Sequence, residues 1–362
     1  MASLDRANRI QCLRIIVEYF WMYLRQLEVA TQRLGAPGRD AVTEGVRHYG
    51  RYRGESMRES VQGCAEGRDA LALLRAWDVA DLALASTDSR LQVEGDARAA
   101  TVKLLRVPGS EYFKGRDGAR ILADYWRETL RGIEEGYDER LAISPGAITA
   151  EPDRGWSLSL RFSGDTARAA HTRPDDALDD ARRGIELSRR TFGVLGALCM
   201  YTTRALIARF DATGEKAARE ALYNFGYERA QGMREQALAE GLPLNLSTWT
   251  SIIQRRDPHA SSFTFKGPTH VSAGVFQTTC AYCPCAQVWA EEGNEGLVLG
   301  YIYDTEVHRG LVEGFHPGGI VTWDKVKTRG DKVCNFRFYI PELVADGDPE
   351  WARAKRTTGS GV

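Results

Sequence analysis

An internal repeat constrains the fold of this chain more than any other feature. Ala36–Glu59 reads APGRDAVTEGVRHYGRYRGESMRE and Ala212–Glu235 reads ATGEKAAREALYNFGYERAQGMRE. With no gap, Gly38 falls on Gly214, Glu44 on Glu220, Gly50 on Gly226, Arg53 on Arg229, and Met57-Arg58-Glu59 on Met233-Arg234-Glu235. The match resumes where Arg131–Tyr137 (RGIEEGY) meets Arg309–Phe315 (RGLVEGF), and Arg161-Phe162 falls on Arg337-Phe338. A repeat this long is a whole domain rather than a turn of a solenoid. The sequence therefore predicts two diverged copies of one domain, at 1–164 and 190–342, packed on each other as a pseudo-dimer. A charged connecting segment, 165–189, joins them, and a polar tail, 343–362, is expected to be mobile.

Within the second copy the pattern predicts an α+β fold, with long helices packed on a small antiparallel sheet. A helix over Leu195–Phe210 is followed by one starting after Gly214, whose apolar stripe is Ala218, Leu222, Phe225, Met233 and Ala237. Short strands are expected at 262–266 and 271–278, and a helix from Pro284. A second helix runs over about 295–315, followed by strands at 320–326 and 332–340. Cys334, Phe336, Phe338 and Ile340 alternate with Asn335 and Arg337 in the last strand, so Cys334 is expected to face the core.

Net charge is -1, which calls for neither nucleic acid nor an anionic membrane as partner; a small-molecule substrate is the expectation. The apolar run Leu13–Leu24 is interrupted by charge and too short to span a bilayer, so it is expected to be a buried helix of a cytoplasmic protein. Of 7 cysteines, three crowd into Cys280-Ala281-Tyr282-Cys283-Pro284-Cys285. This pattern suggests a nucleophile, metal binding or redox work in a reducing compartment rather than a secreted disulfide framework.

Proline is favoured in the first helical turn, which puts Cys283 at the N-cap of the helix that follows. There the positive end of the helix dipole and unpaired N–H groups favour the thiolate. In the first copy Val107-Pro108 aligns with Cys283-Pro284, so the proline persists and the thiol does not. Asp304 and His308, four apart on one helix face, suit a proton shuttle, with the carboxylate orienting the imidazole. The bland alternative is a helix-surface ion pair. Tyr301 lies one turn earlier on that face. Arg53 and Arg229, shared by both copies, suit either binding of a substrate carboxylate or bracing of the fold. Cys280, Cys285 and Cys334 complete the candidate substrate-binding set.

The sequence Cys283-Pro284, then Tyr301-Ile302-Tyr303-Asp304, then Gly314-Phe315-His316-Pro317, then Gly330-Asp331-Lys332-Val333-Cys334-Asn335-Phe336 resembles the L-2-amino-thiazoline-4-carboxylic acid hydrolase family. That family has a Cys-Pro pair, a helix carrying Cys-x-x-Asp, and a closing Gly-Asp-x-x-Cys strand; the last is also similar to that of vinyl-reductase-like sensor domains. Tyr301 stands where the family pattern has cysteine. The resemblance implies hydrolysis of a carbon–nitrogen bond in a small heterocyclic or amide-like substrate. By position, Cys283, Asp304 and Cys334 match the family's cysteine, aspartate and strand cysteine. The expectation is a cysteine-dependent hydrolase without cofactor or metal, in which Cys283 attacks and the Asp304/His308 pair shuttles protons. The rivals are a zinc site on Cys280, Cys283 and Cys285 completed by Cys334 or His308, a Cys280/Cys283 disulfide couple, and a binding or sensor domain without catalysis.

Overall fold

The computed structural model describes residues 6–62, 69–77, 91–104, 117–146, 156–163, 180–256 and 262–348. The two halves run through like series of elements. The first comprises α1 (Arg6–Gln62), α2 (Ala70–Ala76), β1 (Leu91–Gly95), β2 (Ala99–Leu104), α3 (Gly118–Tyr137), β3 (Leu141–Pro145) and β4 (Trp156–Phe162). The second comprises α4 (Asp180–Ala239), α5 (Leu246–Arg256), β5 (Thr264–Val271), β6 (Val275–Tyr282), α6 (Pro284–Glu291), α7 (Gly293–Phe315), β7 (Ile320–Lys325) and β8 (Cys334–Tyr339). Each half forms a separate four-stranded antiparallel sheet, of order β1-β2-β4-β3 and β5-β6-β8-β7. Long helices and small antiparallel sheets make this an α+β fold, as the sequence predicts.

Both long helices are broken at one residue. In α1 the break is Gly35 (φ 66) and in α4 it is Asp211 (φ 49). The break in α4 falls before the expected Gly214, at Asp211 (φ 49, ψ -132), whose backbone lies in a region that glycine favours and that Gly35 (φ 66, ψ -155) takes in α1. Helices α1 and α4 pack along their lengths with reciprocal contacts. Cys12 Sγ lies 3.4 Å from Ser188 Oγ, and Thr202 Oγ1 donates to Gln26 Oε1 at 2.7 Å; both pairs are 176 positions apart, the offset of the sequence repeat. Arg25 Nε donates to Glu228 at 2.8 Å, and at the positions shifted by that offset the rings of Tyr52 and Tyr201 meet at 5.9 Å. Helix α4 is long and apolar enough to cross a membrane by composition, but 72% of its most apolar window is buried inside the protein.

Glycines bring α4 and α7 into backbone contact and so fix the face that α7 turns toward its sheet. A Cβ on Gly310 would lie 2.3 Å from Tyr223 O, and one on Gly226 would lie 2.2 Å from Val307 O. In the first half a Cβ on Gly132 would lie 2.1 Å from Arg47 O, so α1 and α3 cross in the same way. Gly310→Ala must therefore push two helix backbones apart. It is expected to cost about 3 kcal/mol in urea unfolding with an unchanged slope. A loss under about 0.5 kcal/mol would show that the crossing relaxes freely.

Several boundaries differ from those expected. Gly274 and its neighbours turn the chain between β5 and β6, so β6 runs on to Tyr282 and delivers the cysteine cluster directly to α6. Helix α5 was not anticipated; its N-terminus is capped by Asn245, whose Oδ1 accepts from Thr248 N at 2.9 Å. The last ten positions of the expected connector, 180–189, form the first turns of α4. Of the expected free tail, 343–362, the described positions 343–348 are tied to the fold. Leu343 N bonds Ile340 O at 2.9 Å, the Leu343 backbone abuts Gly274, and Asp348 lies 3.5 Å from His270. On β8, Arg337 is buried as well as the apolar residues, because it pairs with Asp324 at 2.9 Å.

Candidate active site

A cavity of about 510 Å³ opens between the second sheet, α7, α5 and the start of α6. The sheet contributes Phe276, Thr278, Cys280, Cys334, Phe336 and Phe338, and α7 contributes Tyr303, Asp304, Val307, His308 and Leu311. Every lining residue lies between Arg229 and Phe338, so the cavity belongs to the second half alone.

Cys283 is the N-cap of α6, as the Cys-Pro pattern predicts. Its backbone is extended, Pro284 occupies the first turn, and its Sγ accepts from Ala286 N at 3.4 Å. It is half-buried, whereas Cys280, Cys285 and Cys334 are buried. Each of those thiols is turned to a backbone partner. Cys280 Sγ donates to Tyr282 O at 3.1 Å, Cys285 Sγ donates to Phe192 O at 3.2 Å, and Lys327 N donates to Cys334 Sγ at 3.2 Å. Burial and the adjacent thiols Cys283 and Cys334 push the Cys280 thiol far above its usual range. Burial pushes Cys334 up to about 12. Cys285 is raised by its hydrogen bond to Cys283 and by burial. Three of the four thiols are thereby held protonated and inert, leaving Cys283 as the accessible sulfur.

Among the described residues no three His, Cys, Asp or Glu side chains converge as metal ligands. Cys280 and Cys283 are both free thiols.

The carboxylate of Asp304 does not orient His308, contrary to the expected dyad. His308 Nδ1 instead meets the backbone carbonyl of Asp304 at 2.7 Å, one helical turn back. A carbonyl only accepts, so Nδ1 carries the proton and in the neutral ring Nε2 is left as the basic nitrogen. The imidazole stacks on Phe336 with centroids 4.5 Å apart. The Asp304 carboxylate turns toward the loop after β7 and accepts from Thr328 Oγ1 at 2.8 Å. Burial raises the Asp304 pKa from 3.8 to about 7, a shift that the Thr328 hydroxyl limits. Thr328 lies in the turn between β7 and β8. The turn itself is a 3-10 segment, Lys327–Arg329, closed by Gly330 (φ 88) and by Asp331 Oδ2 accepting from Val326 N at 2.9 Å.

Two expected binding residues are elsewhere. Tyr301 packs edge-on against Trp323 and does not line the cavity. Arg53 lines a separate void of about 10 Å³ between the first half and α4, with Tyr49, Trp126 and Thr191. Arg229, its counterpart in the second half, does line the cavity, where Glu18 from α1 pairs with it at 3.1 Å. The aromatic wall of Trp249, Phe263, Phe265 and Phe276 went unnoticed in the sequence, because scattered aromatics are not separable from ordinary core by pattern alone.

The first half lacks this chemistry. Val102 pairs with Leu158 across β2 and β4 as Cys280 pairs with Cys334 across β6 and β8. Counted back from the shared glycines of α3 and α7, Trp126 and Leu130 stand where Asp304 and His308 do, and all four first-half residues are buried. Val107-Pro108 lies outside the described residues.

A half-exposed cysteine capping a helix, an imidazole and a buried carboxyl all line one cavity of the size and apolar character of small-molecule sites. Residues 194–338, which contain every residue lining the cavity, match the family model of L-2-amino-thiazoline-4-carboxylic acid hydrolase. The class of activity this supports is hydrolysis. No curated protein and no solved structure matches the chain.

Proposed function

We propose that the second half is a cysteine-dependent hydrolase that opens a carbon–nitrogen bond in a cyclic or amide-like substrate. The reading rests chiefly on Cys283, the one half-exposed thiol among four on the cavity wall, placed at the N-terminus of α6. Sγ attacks the electrophilic carbon after His308 Nε2 takes its proton, and the C–S bond forms. The C–N bond then breaks as the same nitrogen returns the proton to the leaving amine. Water, deprotonated by Nε2, hydrolyses the thioester-like intermediate and frees the thiol. The N–H groups of the first turn of α6 favour the charge that develops on the attacked group. Asp304, protonated below about pH 7, is a proton reservoir next to this path.

We further propose that the chain is a fused pair of diverged copies, in which the first half is a scaffold. The matching strand orders, the glycine crossings and the reciprocal contacts between α1 and α4 support this. In a single chain such a pair keeps one working site and one filled with apolar residues.

Limited alkylation of native protein with iodoacetamide, followed cysteine by cysteine in the mass spectrometer, tests the nucleophile. Cys283 is expected to react first, about a hundredfold or more ahead of Cys280, Cys285 and Cys334. Inertness of Cys283 in metal-free protein would end the reading.

A further inference from the structure

The cavity's size and lining say more about the substrate than its family resemblance does. We propose that the site takes an uncharged, largely apolar molecule of drug-like size, with its scissile bond at the end that reaches Cys283. The proposal rests on the hydrolase reading for the reacting end only.

Volume is the first ground. About 510 Å³ lies within the range of roughly 300–1,000 Å³ that encloses drug-sized ligands. A small carboxylated five-membered ring would leave much of it unfilled.

Wall chemistry is the second. Trp249, Phe263, Phe276, Phe336, Phe338 and Leu311 line the cavity, and Trp249, Phe276, Phe336 and Phe338 are in ring contact with one another. Cys283, Asp304 and His308 also face the cavity, with the imidazole stacked on Phe336 at 4.5 Å.

Charge is the third. Among the described lining residues Arg229 is the one lysine or arginine, and it is already satisfied: Glu18 pairs with it at 3.1 Å and it lies over the Phe225 ring at 5.5 Å. An anionic ligand would be desolvated with no uncommitted cation among those residues to receive it. A cationic one would face a carboxyl that keeps its proton up to about pH 7.

The rim is built to match. Strand β5 is an edge strand whose pairing with β6 shifts register three times between Thr264 and His270. Such bulges re-aim side chains at the margin of a sheet. Here Phe263 and Phe265, which both line the cavity, stack at 5.7 Å, and Phe265 is 42% exposed, where the cavity meets solvent.

Fluorescence titration with N-phenyl-1-naphthylamine, an uncharged aromatic probe, tests this on the full chain. Saturable binding of one probe per chain is expected, at least about tenfold tighter than binding of its sulfonated relative 8-anilinonaphthalene-1-sulfonate. Leu311→Trp, which fills the cavity, should weaken it about tenfold or more, and Phe265→Ser, at the exposed rim, about threefold or more without changing the melting temperature. Cys283→Ala should bind as wild type does. Absence of saturable binding, preference for the sulfonate, or indifference to both substitutions would overturn the proposal. If the probe binds as expected while Cys283 resists iodoacetamide, only the catalytic reading fails. If Cys283 reacts first and the probe does not bind, only the present proposal fails.

Discussion

Cys283→Ala is expected to abolish hydrolysis, with a loss of roughly 10⁴-fold or more in kcat against an activated anilide, while the protein remains folded. The two effects separate because the side chain contributes little to stability. Its Sγ is half-buried, accepts a long hydrogen bond, 3.4 Å from Ala286 N, and shares another with Cys285, so losing it should cost no more than about 1–2 kcal/mol. Cys283→Ser sharpens the point. Serine is a better N-cap than cysteine and should hold α6 at least as firmly, yet its hydroxyl is a far weaker nucleophile at neutral pH. Turnover should therefore collapse in a protein no less stable than wild type. Cys285→Ala should behave in the opposite way. That thiol is 2% exposed, donates to Phe192 O and packs against Gly196, so its removal should lower stability by about 1–2 kcal/mol and leave the chemistry nearly intact. Equal losses of kcat in Cys283→Ala and Cys285→Ala, measured beside urea unfolding curves, would assign the cluster to structure rather than to catalysis.

What the sequence made legible follows local rules. The cap at Cys283 was readable because a proline one residue on specifies both the helix start and its phase. The inward face of Cys334 was readable because strands alternate with period two. The common face of Asp304 and His308 was readable for the same kind of reason, as helical spacing brings residues four apart together. What that face does was not readable. Spacing says that two side chains are neighbours, but the Asp304 carboxylate had a second suitor, the Thr328 hydroxyl, which lies 24 residues along the chain and reaches it only through the turn that Gly330 and Asp331 close. His308 in turn was captured by the carbonyl one turn back. The misplaced Tyr301 has the same origin, since its helical position is consistent with either the cavity or Trp323 and only tertiary packing decides. Arg53 and Arg229 are alike in sequence, yet one borders an almost filled void and the other the working cavity. Bulky Trp126 borders the first, where the corresponding position on α7, Asp304, borders the second.

Asp304→Asn is expected to stabilise the protein at pH 8 and to change little at pH 4, the reverse of what loss of a structural carboxylate would do. The folded state raises the Asp304 pKa from 3.8 to about 7, mainly by burial. The folded protein thus holds this proton more tightly than the unfolded chain does. Below about pH 4 both states are protonated and the buried group costs nothing in charge. Between pH 4 and 7 the unfolded chain ionises while the folded one does not, so stability falls as pH rises, by up to about 1.4 kcal/mol per unit. Above about pH 7 the folded protein carries the buried charge too, and the accumulated penalty levels off at roughly 4 kcal/mol. Asparagine removes the titration but keeps a carbonyl oxygen to accept from Thr328 Oγ1. Its amide adds two donors in a buried place, and that cost is the same at every pH. The difference in unfolding free energy between Asp304→Asn and wild type should therefore grow in favour of the variant by several kcal/mol from pH 4 to pH 8. Thr328→Val, which removes the hydrogen bond that holds the folded pKa down, should leave the start of the decline near pH 4 and extend it to higher pH. Urea unfolding at pH 4, 6 and 8 measures all three proteins. A variant-to-wild-type difference that stays flat across this range would mean that the folded protein does not hold the Asp304 proton, and Asp304 would lose its place as a proton reservoir beside Cys283.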